Sequence, residues 1–76
     1  MTALAQRLID ESMAHDDHIA CAEWSEEAAA DLLAACEDWC ESRTQDGATV
    51  LEYWADLDDQ GRDCPWRVHM TRPAAE

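Results

Sequence analysis

Seven side chains in this 76-residue chain are of types that ligate metals or pair a nucleophile with a base: His15, His18, Cys21, Cys36, Cys40, Cys64 and His69. Zinc takes Cys and His in tetrahedral groups of four. His15-x-x-His18-x-x-Cys21 and Cys36-x-x-x-Cys40 supply five candidate ligands, and residues four apart on a helix share a face. The spacing matches no recognised finger, however, and C-x-x-C is absent. Cys36 and Cys40 also fall among apolar neighbours, where a free Cys behaves as a small hydrophobe. The expectation is therefore free thiols without metal, and a small zinc-binding module of unassigned role is the alternative. A Cys–His pair for nucleophilic catalysis is the other reading of these residues. No spacing fixes its geometry, and an acidic surround raises a thiol's pKa and blunts its attack. No catalytic motif occurs, so a non-enzymatic role is expected.

Carboxylates dominate the remaining chemistry. There are 18 Asp and Glu against five Arg and no Lys, for a net charge of −13. Between residues 8 and 61 sixteen acids face only Arg43, a net charge of −15. Free nucleic acid and anionic membrane are repelled by such a chain, because binding either needs cations to replace counterions. A basic protein groove is attracted. The hairpin tip, with Asp56, Asp58, Asp59 and Asp63, lacks the spacing of an EF-hand calcium loop and reads as a second acidic docking patch or a plain turn.

These groups need elements to hold them. A chain of this length makes one domain, residues 1–76, and buries only about 60% of its unfolded surface. Leu4, Leu8, Ile9 and Met13 recur at helical spacing and predict a helix over residues 3–14. Residues 18–24 fit either a short helical turn or an extended piece. Ser25 is a good N-cap, and Glu26 and Glu27 suit the positive end of the helix dipole, so a long helix is expected from Ser25 to about Arg43. Gln45-Asp46-Gly47 reads as its exit. At about 100° per residue, Ala29, Leu32, Leu33, Cys36, Trp39 and Cys40 gather on one arc. Glu26, Glu27, Asp31, Glu37, Asp38 and Glu41 gather on the other.

Alternating apolar residues then predict two strands: Leu51, Tyr53, Ala55 and Leu57 in the first, Cys64, Trp66, Val68 and Met70 in the second. Joining their apolar faces in antiparallel fashion, with the turn centred on Gln60-Gly61, sets Tyr53 opposite Val68 and Leu51 opposite Met70. On the outer face the same register sets Trp54 opposite Arg67 and Glu52 opposite His69. The expected architecture is α+β: two or three N-terminal helices, then a C-terminal antiparallel β-hairpin packed on the long helix, with residues 72–76 a frayed tail. Leu32, Leu33, Cys36, Tyr53, Trp66 and Val68 should be the most buried positions.

On a single helix, Glu23/Glu27, Glu27/Asp31 and Glu37/Glu41 would be like-charge pairs, each costing about 0.2–0.5 kcal/mol. Halophilic adaptation or a basic partner would explain such repulsion. Four Cys and four Trp in so short a chain fit the partner better. The expected partner-binding residues are thus Glu26, Glu27, Asp31, Glu37, Asp38 and Glu41, joined by Asp56, Asp58 and Asp59 at the tip. Reversing Glu37, Asp38 and Glu41 to Lys should abolish binding without loss of packing. No apolar run follows a basic N-terminal patch, so a cytoplasmic placement with reduced thiols is expected.

Small size, one compact domain and an unbroken acidic face (Glu26, Glu27, Asp31, Glu37, Asp38, Glu41) resemble the small, acidic, phage-encoded anti-CRISPR proteins and related nucleic-acid mimics. The resemblance is one of type and brings no motif that assigns residue roles. It implies stoichiometric inhibition in the host-cell cytoplasm, by occupying the Lys/Arg-lined groove of a CRISPR effector subunit and blocking its target DNA. No cofactor is implied. An acidic antitoxin-like accessory protein is a further alternative.

Overall fold

The structure is a computed structural model, described here for residues 1–14, 19–57 and 60–74. The element order is α1 (Ala3–Met13), β1 (Ala20–Glu23), α2 (Glu26–Ala35), β2 (Asp38–Arg43), β3 (Thr49–Leu57) and β4 (Asp63–Arg72). The four strands form one mixed sheet in the order β1-β4-β3-β2. β1 runs parallel to β4, and the other two pairings are antiparallel. The fold is α+β with two helices, which corrects the expected bundle of N-terminal helices and a lone hairpin.

α1 begins at Thr2, whose side chain accepts the Ala5 N–H at 3.2 Å. Ala5, Leu8, Ile9 and Ser12 are its buried stripe. It lies over β4 and β1, so α1 covers most of the sheet's apolar face, not the helix that was expected to. Ser12 Oγ accepts the Arg67 N–H at 2.6 Å, the ladder position just ahead of β1, which begins opposite Val68.

The long helix predicted from Ser25 to Arg43 is half its expected length. Its start is as read: the Ser25 hydroxyl accepts the Ala28 N–H at 3.3 Å. The helix stops at Cys36, whose backbone is extended (ψ 155°) although its N–H still reaches Leu32 O at 2.9 Å. Residues 38–43 form β2 instead. The physical reason lies in the loop that follows. Asp46-Gly47 closes a three-residue β-hairpin, with Thr44 N–H donating to Ala48 O at 2.9 Å and Gly47 N–H to Thr44 O at 3.1 Å. Gly47 sits at φ 89°, in the region that only Gly enters without strain. Once that turn forms, Cys40 and Ser42 satisfy their backbone on β3, where a continued helix would have had no core beneath it.

The β3–β4 register is the one the alternation demands: Leu51 opposite Met70, Tyr53 opposite Val68, Glu52 opposite His69 and Trp54 opposite Arg67. Gly61 has φ 80° in the connecting turn. β4 runs through Arg72, which pairs with Thr49, so the strand extends to the position where a frayed tail was expected. Leu32, Tyr53, Trp66 and Val68 are buried as expected, joined by Leu8, Ile9 and Met70. Leu33 is not; it is 47% exposed, because α2 rests on Ala28, Ala29 and Leu32. Cys36 is half-buried at the edge of the core. Among the described residues, no helix is long and apolar enough to cross a membrane.

Candidate functional site

The acids expected on one helix face are distributed over three surfaces. Glu27 and Asp31 lie one turn apart on α2. Asp31 accepts the backbone N–H of Thr2, and that hydrogen bond holds its carboxyl below the ordinary aspartate range. Glu37, in the corner between α2 and β2, accepts the Asp56 N–H at 2.7 Å, while its own N–H reaches Trp54 O at 3.0 Å. It ties that corner to β3, so reversing Glu37 would cost the fold an anchor, contrary to expectation. Asp38 accepts the N–H of Trp39 at 2.9 Å. Asp56 is exposed, and Asp58 and Asp59 lie outside the described residues. Of the three like-charge pairs, only Glu27/Asp31 sits on a common helix; Glu23 belongs to β1, and Glu37 and Glu41 to the corner and β2.

The helical split also separates the cysteines. Cys36 caps α2, with Sγ 3.3 Å from Leu33 O, whereas Cys40 is in β2. They share no helix face, which removes the geometric reason for treating them as a ligand pair. His15 and His18 lie outside the described residues. Among the described residues, no three His, Cys, Asp or Glu side chains gather closely enough to hold a metal ion. Partial burial raises the Cys36 thiol above its ordinary pKa.

Strand register does produce one alignment that spacing could not reveal. Cys21 stands opposite His69, His69 opposite Glu52, and Glu52 opposite Cys40, one residue per strand across the sheet. His69 Nε2 and Glu52 Oε2 are 2.7 Å apart. The order is that of a nucleophile, a base and an orienting carboxylate. The first contact is missing, because the Cys21 thiol turns to Ile19 O at 3.6 Å.

The surface with a shape of its own lies on the other face of the sheet. α1 covers β4 and β1, and α2 packs against α1 and β3, which leaves the β2 end open. There α2 and β2 form the two walls of a groove of about 440 Å³. Ala29, Ala30, Leu51 and Tyr53 are among its apolar lining, and Leu33 and Trp39, 47% and 45% exposed, face it from opposite walls. Glu26 on α2 and Glu41 on β2 also line it. Arg72 reaches in from β4, its guanidinium 5.1 Å from the centre of the Trp24 ring. The groove thus combines aromatic and aliphatic surface with carboxylates from two elements, and it borders a strand that is exposed along its whole length. The sequence reading found Glu26 and Glu41 but placed Leu33 and Trp39 in the core; only the strand assignment of β2 turns Trp39 outward.

Comparison with protein-family models, with curated proteins and with solved structures finds no match to this chain.

Proposed function

We propose that this protein is a non-enzymatic inhibitor that binds the basic, nucleic-acid-binding surface of a partner protein, with a CRISPR effector as the specific target class. One observation carries the reading: Glu26 and Glu41, from two different elements, line a single apolar groove beside Leu33 and Trp39. A nucleic-acid channel presents Lys and Arg, whose carbon stems lie along apolar surface while their charged ends seek carboxylates. The groove offers both halves of that match. A net charge of −13 without Lys adds long-range attraction to a positive channel.

The test is a titration of this protein into purified CRISPR effector complexes while target-DNA binding is followed by fluorescence anisotropy. Inhibition should reach completion near one equivalent and weaken as salt rises, since exposed charges are screened beyond about 8–10 Å at ordinary ionic strength. The double reversal Glu26→Lys, Glu41→Lys should lose inhibition while keeping its circular-dichroism spectrum. Full DNA binding by every effector would retire the reading. Inhibition untouched by the double reversal would remove the groove from it.

A further inference from the structure

The outer edge of β2 carries a feature that charge alone does not explain. Thr44 and Ala48 form a hydrogen-bonded pair at the hairpin end. Antiparallel pairs alternate, so the even residues of β2 bond to β3, and the backbone groups of Trp39, Glu41 and Arg43 point away from the sheet. Asp38 takes the Trp39 N–H. The N–H groups of Glu41 and Arg43 and the carbonyls of Trp39, Glu41 and Arg43 face outward, and among the described residues no strand pairs with them. The side chains of Trp39 and Glu41 stand on the groove side of this same edge. An open ladder and an apolar groove therefore adjoin along one strand, the arrangement used when a peptide adds to a sheet.

We infer that β2 recognises its partner by strand addition: an extended, basic segment of the partner protein pairs with the β2 edge and lays its side chains into the groove. This rests on the basic partner proposed above and names how it is held. Charge selects the occupant. Asp38 and Glu41 lie on the strand and Glu26 stands across the groove, with Arg43 and Arg72 as the cations nearby. An incoming strand that alternates arginine with an aliphatic residue turns all its arginines to one face; over the groove their guanidinium groups reach Glu26 and Glu41 while their carbon stems lie beside Trp39 and Leu33. A second copy of this chain is disfavoured as occupant, because each copy carries −13 and would set its own acidic edge against another.

The experiment uses a capped hexapeptide of alternating arginine and valine as the probe, with the ¹⁵N-labelled full chain. The peptide should protect the Glu41 and Arg43 amides from hydrogen exchange. N-methylating the peptide's alternate amides should weaken binding about tenfold for each hydrogen bond lost. Glu41→Pro and Glu41→Gln remove the same charge, but only the proline removes the edge donor, and an edge strand tolerates it. Glu41→Pro should therefore bind at least tenfold more weakly than Glu41→Gln. Should Glu41→Pro fail to fold, the N-methylated peptide gives the same answer on the unaltered protein. Equal binding of both peptides, or no amide protection on β2, would overturn strand addition. So would protection of those amides in peptide-free protein that sediments as a dimer, which would make a second copy the occupant. The two readings fail separately: effectors left uninhibited while the peptide adds to β2 would retire the inhibitor, and inhibition indifferent to Glu41→Pro would retire the added strand.

Discussion

Asp31 on α2 accepts the backbone N–H of Thr2, the residue whose hydroxyl caps α1. One carboxylate thus ties the first turn of one helix to the side of the other. The hydrogen bond favours the ionised form and lowers the Asp31 pKa. A lowered native pKa contributes stability that is complete above the unfolded value, about 3.9, and is lost as pH falls through the native value. Asp31→Asn should melt below wild type at pH 7, and the gap should close below about pH 4. Thermal melts across that range check this; a gap constant with pH would mean that the carboxylate's charge is not what the tie uses.

Two adjacent leucines should behave in opposite ways. Leu32 is fully buried, so Leu32→Ala should cost about 2–5 kcal/mol. Leu33 is exposed, so Leu33→Ala should stay within about 0.5 kcal/mol of wild type. Urea unfolding measures both, and equal losses would restore the longer helix that the sequence suggested.

Gly47 holds the β2–β3 turn at φ 89°, with Ala74 Cβ 3.5 Å from the place a Cβ would occupy. Space exists, but the backbone conformation is strained for any other L-residue. Gly47→Ala should cost about 1–2 kcal/mol. Hydrogen exchange should show β2 loosening more than β4, and a uniform loss of protection would argue against a local turn effect.

Thiol chemistry separates the cysteines. Cys36 is half-buried with its pKa raised by that burial, while Cys21 and Cys40 are exposed. Iodoacetamide at neutral pH should label Cys21 and Cys40 before Cys36, as read by peptide mass spectrometry. Prior labelling of Cys36 would place it outside the core edge.

The elements that could be read from the sequence were those with a strong local period. Alternation over Leu51, Tyr53 and Ala55 and over Trp66, Val68 and Met70 leaves one parity for the register, and the structure has it. The failure at residues 36–43 has a definite cause. Trp39 and Cys40 fall on the helical arc of Leu32 and also alternate as a strand, and Asp46-Gly47 serves equally as a helix exit and a hairpin turn. β1 has no local signal at all: Ala20-Cys21-Ala22-Glu23 is extended because β4 pairs with it. The candidate site shared this fate. Its carboxylates were visible as residues, but the groove requires β2 to be a strand, and strand identity there is decided by tertiary pairing.

The parallel pairing of Ala20 with Val68 has a kinetic consequence. β2, β3 and β4 join through short connections and close at small entropic cost, whereas α2, β2 and β3 all intervene in sequence between β1 and β4. The meander should therefore form before the N-terminal half docks on it. Mutations at Ala20 should mainly speed unfolding and those at Tyr53 should slow folding, a split that stopped-flow chevrons resolve and that reversed slopes would refute. In that sequence of events the outward edge of β2 is already extended while the opposite edge of the sheet, at β4, still awaits its own strand, so the growing chain passes through a stage with two open borders and only its acidity to keep them apart from other copies.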